Sequence, residues 1–136
     1  MSYAVSAALQ GAIFTALSAD PTLSGLIGGA IFDALPSGAL PPLYVSIGQE
    51  VVRQRNDSTG FGAEHRMTIK VVTEVAGFAA AKEVGGAICD ALHETPLALS
   101  RGRLVSMKFV RAQASRIEKG AGRQVDLIFR ARVEDN

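Results

Sequence analysis

The spacing of apolar positions switches between helical and strand periods along the chain. Val5, Ala8, Leu9, Ala12, Ile13, Ala16 and Leu17 recur at the three-and-four spacing of one helix face. Ser2 suits a helix start, and Asp20-Pro21 ends the run because the residue before a proline is pushed out of helical geometry. This predicts a helix over 2–19. Residues 22–29 hold Leu23, Leu26 and Ile27 at helical spacing but are cut by Gly25, Gly28 and Gly29, which predicts one short helical turn and a loop. Residues 30–35 have the makings of a brief strand, and the proline-bearing run 36–42 is a connector.

Leu43, Val45, Ile47, Gln49 and Val51 alternate with Tyr44, Ser46, Gly48 and Glu50, predicting a strand with one apolar face. Residues 53–62 are polar and glycine-bearing and lead into 64–74, where Met67, Ile69 and Val71 share a face; together these read as a hairpin with a long exposed loop. Over 77–92 the period becomes helical again, with Phe78, Ala81, Gly85, Ile88, Cys89 and Leu92 opposite Lys82, Glu83 and Asp90. Val105, Met107 and Phe109 alternate with polar or outward positions, and so do Val125, Leu127, Phe129, Ala131 and Val133. Residues 118–123 between them have the glycine and charge of a hairpin tip. The order helix, hairpin, helix, hairpin predicts a single α+β domain over 1–136, an antiparallel sheet of about four strands with two main helices on one face.

A chain of 136 residues with 48% hydrophobic and 20% charged residues has the composition of one globular domain. Tryptophan is absent and tyrosine occurs only at Tyr3 and Tyr44, so a surface that reads nucleobases by stacking is poorly supplied. Net charge is +1, yet all 14 basic residues lie at or after Arg53. Residues 101–132 hold nine of them against Glu118 and Asp126. Such a field suits DNA or an acidic patch on a protein partner, weighed against a solvated strand face in which Arg130 and Arg132 merely alternate with core residues. Because Arg53 is the first basic residue, the alanine-rich start lacks the charged opening of a secretory signal, and no apolar run is long enough to span a bilayer. The expectation is a soluble helix and no membrane partner.

Candidate chemistry is sparse. His65 and His93 are far apart, and Glu64 beside His65 would point to the opposite strand face, so the histidines read as solvated or hydrogen-bonded and no metal site is expected. Cys89, the sole cysteine, excludes an intramolecular disulfide; it sits on the apolar stripe of the second helix, which implies packing, and a lone thiol fits assembly in a reducing cytoplasm. No serine stands in a Gly-x-Ser-x-Gly elbow, and no glycine cluster forms a phosphate-binding fingerprint. Neither catalytic residues nor a cofactor are expected.

Several segments, taken in order, resemble the tail-completion (tail-terminator) family of tailed phages and gene transfer agents. They are Ala30-Ile-Phe-Asp33, Pro36-Ser-Gly38, Pro41 to Gly48, Gly62 to Val71, the helix over 77–92, Gly102-Arg-Leu-Val105, and Asp126 to Glu134. Each is short, and their order and spacing carry the likeness. Where many relatives place an aromatic residue near the end of the second strand, this chain has Val71-Val-Thr-Glu74. The resemblance implies a non-enzymatic structural virion protein that forms a ring, typically hexameric. Such a ring caps the tail tube, ends its polymerisation and joins the tail to the head connector or stopper. DNA passes through the lumen without specific binding. The exposed segments expected to meet partners are the 53–62 loop and the last hairpin, through Arg53, Arg55, Phe61, Arg116, Lys119 and Arg123. Alternatives are another neck or minor tail protein and a small nucleic-acid-binding protein.

Overall fold

The computed structural model describes residues 2–56, 62–117 and 122–135. A 3-10 turn over Ser2–Val5 leads into α1 (Ser6–Ala19), followed by α2 (Pro21–Ile27), β1 (Ile31–Phe32), β2 (Leu43–Gln54), β3 (Gly62–Thr73), α3 (Ala79–Leu92), β4 (Arg103–Arg116) and β5 (Arg123–Glu134). The α+β class, the helix-hairpin-helix-hairpin order and the one-sided helix layer are those expected. Two elements enlarge the frame. The short turn after Pro21 is a two-turn helix, capped by the Asp20 carboxylate accepting from the Leu23 N–H at 2.9 Å. The brief strand β1 adds to the sheet in parallel, pairing Ile31 with Val45. The sheet thus has five strands in the order β1-β2-β3-β5-β4, all other neighbours antiparallel.

Sheet alternation sorts side chains between two unlike environments. On the inner face, Ile69, Val71, Leu127, Phe129, Ala131 and Val133 are buried against Leu9, Ile13 and Leu17 of α1 and Ala81, Val84, Ile88 and Leu92 of α3. Gly85 faces Leu127 across the helix–sheet seam, where an added Cβ would make ordinary contact with the Leu127 methyls at 3.7 and 3.8 Å. Gly102, just before β4, has φ +69°, and a Cβ there would stand 2.5 Å from the Glu134 carbonyl oxygen. Only glycine satisfies both the left-handed backbone and that approach.

Strand β2 departs from the simple alternation read in the sequence. A register shift between Ile47 and Glu50 turns the second half of the strand over, so that Glu50 and Val52 face the helices and Val51 is 58% exposed. In β4, shifts at Leu104/Ser106 and Phe109/Arg111 likewise leave Val105 and Val110 exposed; of the expected apolar set only Met107 is fully buried. The other hairpin strands, β3 and β5, alternate without interruption.

Candidate functional site

Among the described residues His65 is the one fully buried ionisable side chain, and it has an acidic neighbour. The bulge in β2 brings Glu50 inward, where its carboxylate accepts from the Ser6 hydroxyl at 2.7 and 3.0 Å and contacts His65 Nδ1 at 2.9 Å. His65 is fully buried, and its Nε2 has no hydrogen-bond partner. A serine, an acid and a histidine together invite a triad reading, but the geometry refuses it. The hydroxyl binds the acid and not the imidazole, and the free ring nitrogen points into packed protein where no substrate reaches. The trio is a clamp between the chain's first helical turns and β2. It was not legible in the sequence, where Glu64 was the obvious neighbour of His65 and Glu50 appeared to face outward.

Cys89 is partly buried, as its place on the helical stripe implied, and burial followed by the nearby Asp90 charge pushes its thiol pKa up. A raised pKa suppresses the thiolate and with it nucleophilic character. Among the described residues no group of three His, Cys, Asp or Glu side chains converges as a metal site. The groove of about 480 Å³ between α1 and residues 96–100 is lined by Ala7, Ala8, Gly11, Ala12, Leu97 and similar small side chains with no titratable group.

The surface is more informative. The sheet's outer face carries no helix. Cross-strand partners share a face, so the register sets Arg53, Glu64, Arg132 and Ser106 in one row, and Val51, Arg66, Arg130 and Lys108 in the next. Arg66, Arg130 and Lys108 are thus three cations in direct succession across three strands. Glu64 lies beneath them, 14% exposed, within 3.5 Å of Arg66 Nε and 3.8 Å of Arg130 Nε. The basic C-terminal third does not act as a unit: Arg130, Arg132, Lys108 and Arg111 join Arg53 and Arg66 on this face, while Arg101 is tied to Asp135 and Arg103 to Glu134.

The expected partner-binding residues divide between the two ends of the sheet. Arg53 and Arg55 lie where β2 runs out, beside Gly62 and Glu134; Arg116 and Arg123 pair at the far end. Phe61 and Lys119 lie outside the described residues. Arg123 opens β5 and does not belong to the hairpin tip; its guanidinium sits 5.4 Å from the Phe78 ring centroid, on the helix side. Two apolar surfaces were missed. The outward side of α1 exposes Tyr3 (from the preceding turn) and Phe14, and the Ser2–Ala19 segment contains no charged residue. At the edge of the sheet, β4 exposes Val105, Phe109 and Val110. A helix apolar on both sides normally has both sides covered, a signal present in the sequence.

Among the described residues one sheet face is bare and charged, and apolar side chains stand uncovered on α1 and along the β4 edge, features that suit a docking and assembly subunit. The family described as tail completion protein gp17 matches residues 11–134, and the chain belongs to that family of structural tail proteins. Among solved structures, a chain of the virion of a native gene transfer agent particle is similar over its whole length, with 52% identity, a TM-score of 0.93, and 98% of this chain and 99% of that chain covered. No curated protein gave a match.

Proposed function

We propose that the protein is the tail terminator of a phage-like particle of the gene transfer agent kind, a ring-forming subunit, hexameric as the family resemblance implies, that ends the tail tube and joins it to the head connector. The likeness to a chain of a gene transfer agent virion supports the particle type. The observation that carries the joint reading is the placement of the two hairpins. The β2–β3 connection leaves the sheet at Arg55 and Gly62, and the β4–β5 connection leaves it at Ile117 and Gly122, with the whole of β3, 12 residues or about 40 Å of strand, between the two levels. A joint has to offer distinct surfaces to two partners, and this subunit has connections at both ends for them. Ring closure needs head-to-tail contacts between two different surfaces of one chain. The uncharged α1 side and the exposed β4 edge supply such a pair.

The test is electron microscopy of particles. Without the protein, tails of uncontrolled length or finished tails detached from filled heads are expected. Particles with Arg53→Glu/Arg55→Glu should fail at one junction, and those with Arg116→Glu/Lys119→Glu at the other. Normal joined tails of normal length in the deletion would refute the reading; a shared defect at a single junction would refute the two-ended arrangement.

A further inference from the structure

The bare face of the sheet poses a physical problem. Like charges placed directly opposite on neighbouring strands repel, yet Arg66 faces Arg130 and Arg130 faces Lys108, with side chains 47%, 43% and 48% exposed. One mostly buried carboxylate, Glu64, serves two of them at distances longer than a good hydrogen bond, and Lys108 reaches the mostly exposed Glu94 at 3.8 Å. Arg53 and Arg132 flank this row on the Glu64 side, and Arg111 lies beyond it on β4. A solvated face chosen for stability alone would alternate signs across strands.

We infer that this face is a phosphate-binding surface for duplex DNA, held by the Arg53, Arg66, Lys108, Arg111, Arg130 and Arg132 cations and reading no sequence. The surface composition selects DNA over an acidic protein patch. Protein interfaces deplete charge at their centres and anchor on aromatic residues, whereas here the centre is cationic and its neighbours are Val51, Thr68 and Ile128. Interfaces with DNA are the strongly basic ones. The aromatic pair on this face, Phe32 and Tyr44, is engaged edge-to-face at 6.0 Å and sits at the β1 corner, in the rows of Ser46 and Val72 and away from the cations. Among the described residues of this face that leaves nothing for unstacked bases to lie on, which favours a double-stranded ligand contacted through its backbone. Glu64 holds the Arg66 and Arg130 guanidinium groups side by side without neutralising the set. The inference goes beyond the terminator reading and stands without ring closure, since the isolated chain carries the entire face.

Fluorescence anisotropy of the purified chain with a mixed-sequence 30-base-pair duplex, between 50 and 200 mM salt, tests it. Engaging about four phosphates, the wild type should bind with a log–log salt slope of about −3.6, equally for AT-rich and GC-rich duplexes. Arg66→Gln/Arg130→Gln should flatten that slope by about 1.8 and weaken binding at least tenfold at 50 mM salt. The same double variant keeps amide donors beside Glu64 in place of the two guanidinium groups, and its circular-dichroism spectrum should match that of the wild type. Arg116→Gln, on the helix side, should leave the slope unchanged. No salt-dependent binding, an unchanged slope in the double variant, or poly-glutamate binding as tightly as duplex would each overturn the assignment, the last in favour of an acidic protein partner. Loss of DNA binding with normal tail joining in particles would separate this inference from the terminator reading.

Discussion

Replacing Glu50 by alanine tests whether the Ser6–Glu50–His65 clamp holds the first helical turns to the sheet. The carboxylate contributes a charge-assisted contact to His65 Nδ1 at 2.9 Å and accepts from Ser6 at 2.7 Å. Because His65 is fully buried and its Nε2 already lacks a partner, losing Glu50 leaves both ring nitrogens unsatisfied in packed protein. A hydrogen bond to a charged group is worth about 1.5–3 kcal/mol, and a stranded buried polar atom costs about 1–3 kcal/mol. The two overlap, and Glu50 keeps 19% side-chain exposure, so Glu50→Ala should cost about 2–4 kcal/mol in all. At about 3–4 °C per kcal/mol for a domain of this length, the melting temperature should fall by about 6–16 °C. Urea denaturation followed by circular dichroism gives the free energy directly. Glu50→Met with His65→Leu removes both polar partners together and should recover more than half of the loss. A Glu50→Ala cost below about 0.5 kcal/mol, the level of an ordinary surface substitution, would refute the clamp. Strictly additive effects in the double variant would refute the coupling.

Gly102→Ala forces a side chain into left-handed backbone and within 2.5 Å of the Glu134 oxygen and 3.0 Å of Val5 Cγ2; thermal melting should show a loss of about 2–4 kcal/mol, and a wild-type melting point would contradict the close approach. For Cys89, the folded thiol holds its proton to higher pH than the unfolded one. Above the ordinary thiol range the unfolded chain therefore binds fewer protons, and stability contributed at Cys89 is lost as pH rises through that window. Iodoacetamide labelling at pH 8 should accordingly be slower in the native chain than in denaturant, and Cys89→Ala should flatten the fall in stability as pH rises above the ordinary thiol range. Equal labelling rates would show the thiol to be exposed and ordinary.

Much of the architecture was legible because its causes are local. The three-and-four spacing of Leu9, Ile13 and Leu17 and the uninterrupted alternation of Val125 through Val133 each commit a segment to bury one face, whatever it packs against. Asp20-Pro21 ends one helix and starts the next through chain geometry alone.

Strand register and the choice of covered face have no local cause. In β2 the pattern from Leu43 to Val51 looked continuous, but Gly48 and Gln49 stand against the single Thr68 of β3, and the one extra residue turns Glu50 towards His65. In β4, Val105 and Phe109 read as core positions beside Met107, but with register shifts at Leu104/Ser106 and Phe109/Arg111 in the pairing with β5 both stand exposed. The basic C-terminal third, one run in sequence, is dispersed by strand order: β5 enters between β3 and β4, bringing Arg130 between Arg66 and Lys108. The sequence by itself determined which segments become helix or strand. Only the tertiary structure decided which cations stand together and which sheet face stays bare, because both depend on partners dozens of residues away.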